Sequence, residues 1–227
     1  MNRHDLAVLS PNAQLNFIDK NLPVAVYFLI KAWVKQAIPM TICRQDAVAS
    51  GQVKLAMSCF VNARKYRVAF TVDQKDICDI RHPVALHQII QMFNVEQQHD
   101  LKFFLQHVEE LGCQVYVYGS YANQYLTQQT YVTSKSDVDL VIYPAFYDME
   151  LIQSILKHIH DLKVKMGQPI DGEIRIHPQW HVSFNELQLA WQQQHTSVLV
   201  KGIEHIALLQ LEQLWEQKDV KFSACSV

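Results

Sequence analysis

A chain of 227 residues, 49% hydrophobic and 19% charged, has the material for a substantial core and is not a disordered tail. Its formal net charge of -2 lacks the basic excess that a binder of polymeric nucleic acid uses to neutralise many phosphates. The length falls between one domain and two. In chain order, the opening MNRHDLAVLSPN carries no cationic region followed by an apolar stretch, so no secretory signal is expected. Leu22 to Val34 is the most apolar run; it is too short to span a bilayer, contains Lys31, and reads as a helix from Pro23 to Lys35. After Pro39, a strand is predicted over Met40 to Arg44. Val53 to Phe60 and Arg67 to Val72 then read as a hairpin with a longer loop over residues 61–65.

From Glu96 to Leu111 the apolar residues Leu101, Phe104, Leu105, Val108 and Leu111 follow helical spacing, and Gly112 is a stop. Val115 to Tyr118 reads as a strand, Gly119-Ser120 as a tight turn, and Tyr121 to Leu126 as a short helix. Asp137 to Tyr143 is a buried strand by composition, Met149 to Met166 a helix, and Ile170 to Ile176 a strand. Ser183 with Glu186 is a capping-box pattern opening a helix to about Gln192. Ser197 to Lys201 follows as a strand, and the remaining C-terminal residues read as helical. The expected fold is α+β: a small N-terminal α+β domain over residues 1–80 and a mixed sheet flanked by helices over 81–227.

Chemistry concentrates in the second part. Asp137 and Asp139 are two apart on a predicted strand, so alternation sends both carboxylates to one face. Crowded anions call for a raised pKa or a cation, and hard oxygen donors suit Mg2+. Gly119-Ser120, between a strand and a helix, offers backbone N–H groups and a hydroxyl to a phosphate. Asp171 and Glu173 repeat the i, i+2 spacing, and either supplies a third carboxylate for a metal or for drawing a proton from an attacking hydroxyl. These parts suit phosphoryl or nucleotidyl transfer assisted by two metal ions. Each signal also has an ordinary structural explanation, and the case rests on their combination.

The segment VYGSYANQYLTQQTYVTSKSDVDLVIYP resembles the nucleotidyltransferase superfamily, whose signature is GS followed by Asp-x-Asp. With RHDLAVL, IPMTICRQD, DGEIRIHPQWHVSFNEL and VLVKGIEHIALL, nearly the whole chain resembles the malonate decarboxylase holo-acyl-carrier-protein synthases, which are phosphoribosyl-dephospho-CoA transferases. The resemblance implies a nucleotidyltransferase-like sheet and a donor, 2'-(5''-triphosphoribosyl)-3'-dephospho-CoA. It also implies an acceptor serine on the acyl-carrier subunit of malonate decarboxylase, and release of pyrophosphate. It implies Mg2+ at Asp137 and Asp139, a pyrophosphate cradle at Gly119 and Ser120, and a phosphate-facing lysine at Lys201. The family usually has Thr-Gly between the two motifs, where this chain has Thr127-Gln128.

Arg44 is a candidate for a phosphate or an acidic carrier protein, and Tyr131 is the tyrosine of Tyr116, Tyr118, Tyr121, Tyr125 and Tyr131 best suited to stack on adenine. His158 and His160, two apart on a helix, point in different directions, and neither they nor His82 with His87 make a zinc site. Five scattered cysteines without a CxxC pair read as reduced thiols in a cytoplasmic protein with no membrane association. Two rival functions remain: an ATP-dependent nucleotidyltransferase of the same fold, and a catalytically silent carrier-binding adaptor.

Overall fold

The computed structural model describes residues 1–193 and 196–214. The chain divides into two compact units, one built from Met1–Pro83 with Tyr118–Thr133, the other from Val84–Val117 with the residues from Ser134 onward. Both mix helices and strands, and the protein is α+β.

The first unit holds strands β1 (Leu6–Leu9), β2 (Asn16–Phe17), β3 (Met40–Ile42), β4 (Gln52–Val61), β5 (Arg64–Asp73) and β6 (Ile77–Arg81), with helix α1 (Val24–Lys35). They form a six-stranded sheet ordered β2-β5-β4-β3-β1-β6, antiparallel at every pairing. Alternation decides its faces: Val53, Leu55, Met57 and Cys59 of β4 and Val68, Phe70 and Val72 of β5 are buried, as are Val26, Ile30, Trp33 and Val34 of α1. The hairpin differs from the expected long loop. Pairing runs to Val61↔Arg64, leaving a two-residue turn in which Asn62 and Ala63 take φ of 51° and 61°, the left-handed pair that a tight hairpin demands. Strands β1, β2 and β6 escaped prediction because β2 is two residues long and β6, ICDIR, is mostly exposed and shows no apolar alternation.

The second unit contains β7 (Val84–Ala85), α2 (Leu86–Ile89), α3 (Val95–Glu110) and β8 (Cys113–Tyr118). After α4 (Gly119–Thr127), which the chain division assigns to the first unit, come β9 (Val138–Pro144), α5 (Met149–Met166), β10 (Ile170–His177), β11 (Trp180–Ser183), α6 (Phe184–Gln192), β12 (Ser197–Lys201) and β13 (Ile206–Gln210). The seven-stranded sheet runs β13-β12-β11-β10-β9-β8-β7. It is mixed, with β9 and β10 parallel and β11, β12 and β13 antiparallel in turn.

Parallel neighbours need a crossover, and α5 supplies it. Asp148 caps its start, accepting from the Glu150 N–H at 2.6 Å, and Gly167 ends it at φ 59°. Its Ile152, Ile155, Ile159 and Leu162 are buried, as are Leu140 and Ile142 of β9 and Ile174 and Ile176 of β10. Helix α6 opens where the capping pattern put it, with Ser183 Oγ accepting from the Glu186 N–H at 3.2 Å. The Glu186 carboxylate, however, accepts from the Leu199 N–H of β12 at 3.1 Å and so ties helix to sheet. Beyond Lys201 the expected helical region is corrected: residues 206–210 form β13, whose short turn back onto β12 pairs Lys201 with Ile206. Glu212–Leu214 form a single helical turn, and the rest of that expected helix, from residue 215, lies outside the described residues.

Candidate active site

Strands β9 and β10 run parallel in a register that sets Asp171 directly opposite Asp139, with Ile170 opposite Val138 and Glu173 opposite Val141. Directly paired residues share a face, so the Asp139 and Asp171 side chains rise together from one side of the sheet while their neighbours Val138, Leu140 and Ile170 are buried on the other. Asp139 is half-buried and Asp171 exposed. Asp137 is exposed and stands just before the first residue of β9, where strand pairing has not yet begun.

Directly after Asp171, and opposite Leu140, β10 carries Gly172 at φ 154°. A Cβ there would lie 2.0 Å from the Leu140 carbonyl oxygen and 2.7 Å from the Phe184 ring, so only glycine lets β10 lie this close to β9. The Gly172 N–H donates to Asp171 Oδ1 at 2.8 Å and holds that carboxylate near the start of β10. The DGE segment is therefore a strand whose middle residue is sterically required.

Glu173 has a different environment. It is buried, at 4% exposure, and its Oε1 accepts from Lys201 Nζ of β12 at 2.9 Å. His181 Nδ1 of β11 lies 3.7 Å from the other oxygen. The registers Arg175↔His181 and His181↔Lys201 bring these side chains to the face that carries Asp139 and Asp171. Farther along that face the Arg175 guanidinium sits 4.2 Å above the Tyr143 ring, and Tyr143 meets His181 edge-on at 5.8 Å. His181 and Arg175 were absent from the sequence-based site. The strand that carries His181 is four residues long, and the useful signal was its alternation, with His181 two positions before the capping Ser183.

Gly119 and Ser120 are the first residues of α4, directly after β8, and Gly119 takes φ 67°. No side chain caps this helix start. At its other end Gln128 adopts φ 58°, with its Nε2 donating to the Tyr125 carbonyl at 2.6 Å. That left-handed conformation is one that glycine takes without strain.

Tyr131 and Arg44 lie in the first unit with partners of their own. The Tyr131 hydroxyl donates to the Ser58 carbonyl at 2.7 Å, its ring meets Phe60 at 5.2 Å, and burial pushes its phenol up to about 12. Ring and hydroxyl are thus both engaged in packing. Arg44 Nη2 donates to Asp46 at 2.7 Å on the surface.

Among the described residues no group of three or more His, Cys, Asp or Glu side chains is arranged to hold a metal ion. Cys43, Cys59, Cys78 and Cys113 are free thiols, while Cys225 lies outside the described residues. No helix among the described residues is long and apolar enough to cross a membrane.

Family models match the chain in two stretches. Residues 85–212 match the phosphoribosyl-dephospho-CoA transferase MdcG C-terminal domain, and residues 2–83 match the N-terminal domain of the same name. The chain is thus a transferase, with the paired acidic residues inside the C-terminal match. It belongs to the phosphoribosyl-dephospho-CoA transferase MdcG family.

Among curated proteins, it is 26% identical over 218 residues to a phosphoribosyl-dephospho-CoA transferase of Bradyrhizobium diazoefficiens, covering 93% of this chain and 91% of that one. The protein of that name from Xanthomonas euvesicatoria pv. vesicatoria is 26% identical over 208 residues, 91% of this chain and 93% of the relative. One from Xanthomonas campestris pv. campestris is 31% identical over 113 residues, 49% of this chain and 53% of the relative. No solved structure gives a significant match.

Proposed function

We propose that the chain transfers the phosphoribosyl-dephospho-CoA group from 2'-(5''-triphosphoribosyl)-3'-dephospho-CoA to a serine of the acyl-carrier subunit of malonate decarboxylase, releasing pyrophosphate, in the cytoplasm. The observation that carries this reading is the facing of Asp139 and Asp171 across two parallel strands in a chain of this family. A seryl oxygen forms a bond to the α-phosphorus, the bond to the pyrophosphate oxygen breaks, and the seryl proton leaves to a base.

Two facing carboxylates, with Asp137 just upstream, are a donor set that fits Mg2+, which commonly takes one or two carboxylates and fills its other positions with substrate phosphate oxygens and water. Asp139 and Asp171 would hold the ion, or a pair of ions, with Asp137 just before the start of the strand. The metal would supply charge neutralisation at the phosphates and orient them for in-line attack. Asp171 rather than Glu173 takes the role of third carboxylate, because Asp171 is exposed and opposite Asp139 whereas Glu173 is buried against Lys201. It shares the ion or accepts the seryl proton. Gly119 and Ser120 would bind the departing pyrophosphate through the N–H groups that open α4 and the seryl hydroxyl. Lys201 would add positive charge toward a phosphate of the donor.

The test is to incubate the protein with the carrier subunit and either ATP or triphosphoribosyl-dephospho-CoA, with and without Mg2+, and to weigh the intact carrier by mass spectrometry. The expected result is a mass gain equal to the phosphoribosyl-dephospho-CoA group, dependent on Mg2+. A gain with ATP alone, the CoA derivative being inert, overturns the assignment.

A further inference from the structure

We propose that Glu173 is a positioning residue: it fixes the Lys201 ammonium as an anion seat for the pyrophosphate end of the donor, and it takes no part itself in metal binding or proton transfer. The proposal deepens the transferase reading and rests on it for the identity of the anion.

Glu173 is only 4% exposed, so its carboxylate is withdrawn from any substrate hydroxyl that approaches Asp139 and Asp171 from solvent. Both of its oxygens already face basic partners from two further strands, Oε1 toward Lys201 Nζ at 2.9 Å and Oε2 toward His181 Nδ1 at 3.7 Å. Three consecutive strands thus each contribute one member, on the face that also carries the two aspartates. The Lys201 side chain keeps 30% of its surface while its ammonium is held by Glu173. A lysine otherwise swings freely on a four-carbon stem; one clamped by a buried carboxylate presents its charge at a fixed point, which favours a polyanion.

Burying a carboxylate costs solvation that a lone ion pair seldom recovers in full. Its presence here, two residues from Asp171, is accounted for by the need to aim a charge. His181, buried at 3% and set at right angles to the Tyr143 ring, stands 3.7 Å from the far oxygen, the one not bonded to Lys201.

The experiment combines Glu173→Gln, Lys201→Ala, their double variant and Asp171→Asn in the full chain. Two readouts are taken: calorimetric affinity for inorganic pyrophosphate with Mg2+, and steady-state transfer to the carrier subunit with kcat and donor KM separated. Each single change at the pair weakens pyrophosphate binding and raises donor KM by about tenfold, the scale of one charge-assisted hydrogen bond. The double variant is no more than about twofold worse than either single, because residues acting as one unit are not additive. The Mg2+ concentration giving half-maximal rate stays unchanged in Glu173→Gln and rises in Asp171→Asn.

A Glu173→Gln variant that loses kcat while binding pyrophosphate normally, or a double variant reduced by the product of the two singles, overturns the proposal. Should Glu173→Gln fail to fold, Lys201→Arg decides: it keeps the pair charged and retains pyrophosphate affinity to within about threefold, whereas Lys201→Ala does not. Equal affinity in Lys201→Ala, Lys201→Arg and the unaltered chain overturns the seat. A chain that never modifies the carrier overturns the transferase reading on its own. Normal transfer by every pair variant overturns the Lys201 seat and the role given to Glu173, and leaves the transferase reading standing.

Discussion

The two sheets differ in how far their charge pairs are built into the fold. In the six-stranded sheet and its turns, Arg44 with Asp46, Lys75 with Asp73 and Arg81 with Asp79 are exposed and local in sequence, while the buried Asp5 has His82 at 3.8 Å. In the seven-stranded sheet Glu173 is buried and takes its partners from strands β11 and β12. Local exposed pairs form at little cost and contribute little. A buried pair assembled from distant strands carries a desolvation penalty, so its persistence marks a place where charge has a task. The acidic residues divide in the same manner, with Asp139 and Asp171 facing each other across parallel strands.

Replacing Asp139 by Asn is the harshest trial of that contrast. Transfer to the carrier subunit falls about a thousandfold, the scale of losing a group that stabilises charge in the transition state. The thermal unfolding midpoint stays put, since Asn keeps the shape. Retention of a tenth of the rate would place the chemistry elsewhere.

A comparison of backbones comes next. Gly172→Ala drives a methyl group into the Leu140 carbonyl at a φ of 154°. It costs about 3 kcal/mol or more. Gly51, in the first unit, has a φ of 78° with nothing within 4 Å of the point a Cβ would occupy, and Gly51→Ala costs about 1 kcal/mol. Urea unfolding of both variants reads the difference, and equal midpoints would refute the close approach of β10 to β9.

Tyr131→Phe separates packing from ligand stacking. It removes the hydroxyl that donates to Ser58 and costs about 1 kcal/mol, with donor KM unchanged. Burial raises the folded phenol from 10.0 to about 12. The stability this confers is fully present below the unfolded value and is lost as pH rises through about 12. Denaturation curves taken across that window flatten in the Phe variant; a raised donor KM instead would return Tyr131 to the nucleotide.

Strong periodicity made α1, α3 and α5 legible in the sequence, because each buries one apolar stripe, and α3 and α5 stop at Gly112 and Gly167. Strands β2 and β6 were illegible: their pairing is made by backbone groups, and the side chains leave no alternation to read. At the site, the i, i+2 spacing of Asp171 and Glu173 correctly put both on one face but did not distinguish them. That difference lies in register, which sets Asp171 opposite Asp139 and Glu173 opposite Val141, and in the nonlocal arrival of Lys201 and His181. Register between distant strands is a tertiary property that no local window contains.

The mildest expected effects are at Arg44 and Asp46. Lys54 and Arg44, by hydrogen bonding to the Asp46 carboxylate, hold its pKa down to about 2. A carboxyl lowered in the folded state contributes stability above its unfolded value of 3.8 and loses it as pH falls through about 2. Asp46→Asn therefore costs no more than about 1 kcal/mol at neutral pH, because the group is exposed, and the difference vanishes in acid. Arg44→Ala leaves the KM for donor and carrier within about twofold, since Asp46 already engages its guanidinium. A tenfold rise in either KM would show that a surface pair local in sequence can serve the reaction as directly as the buried one, and the contrast between the two sheets would no longer hold.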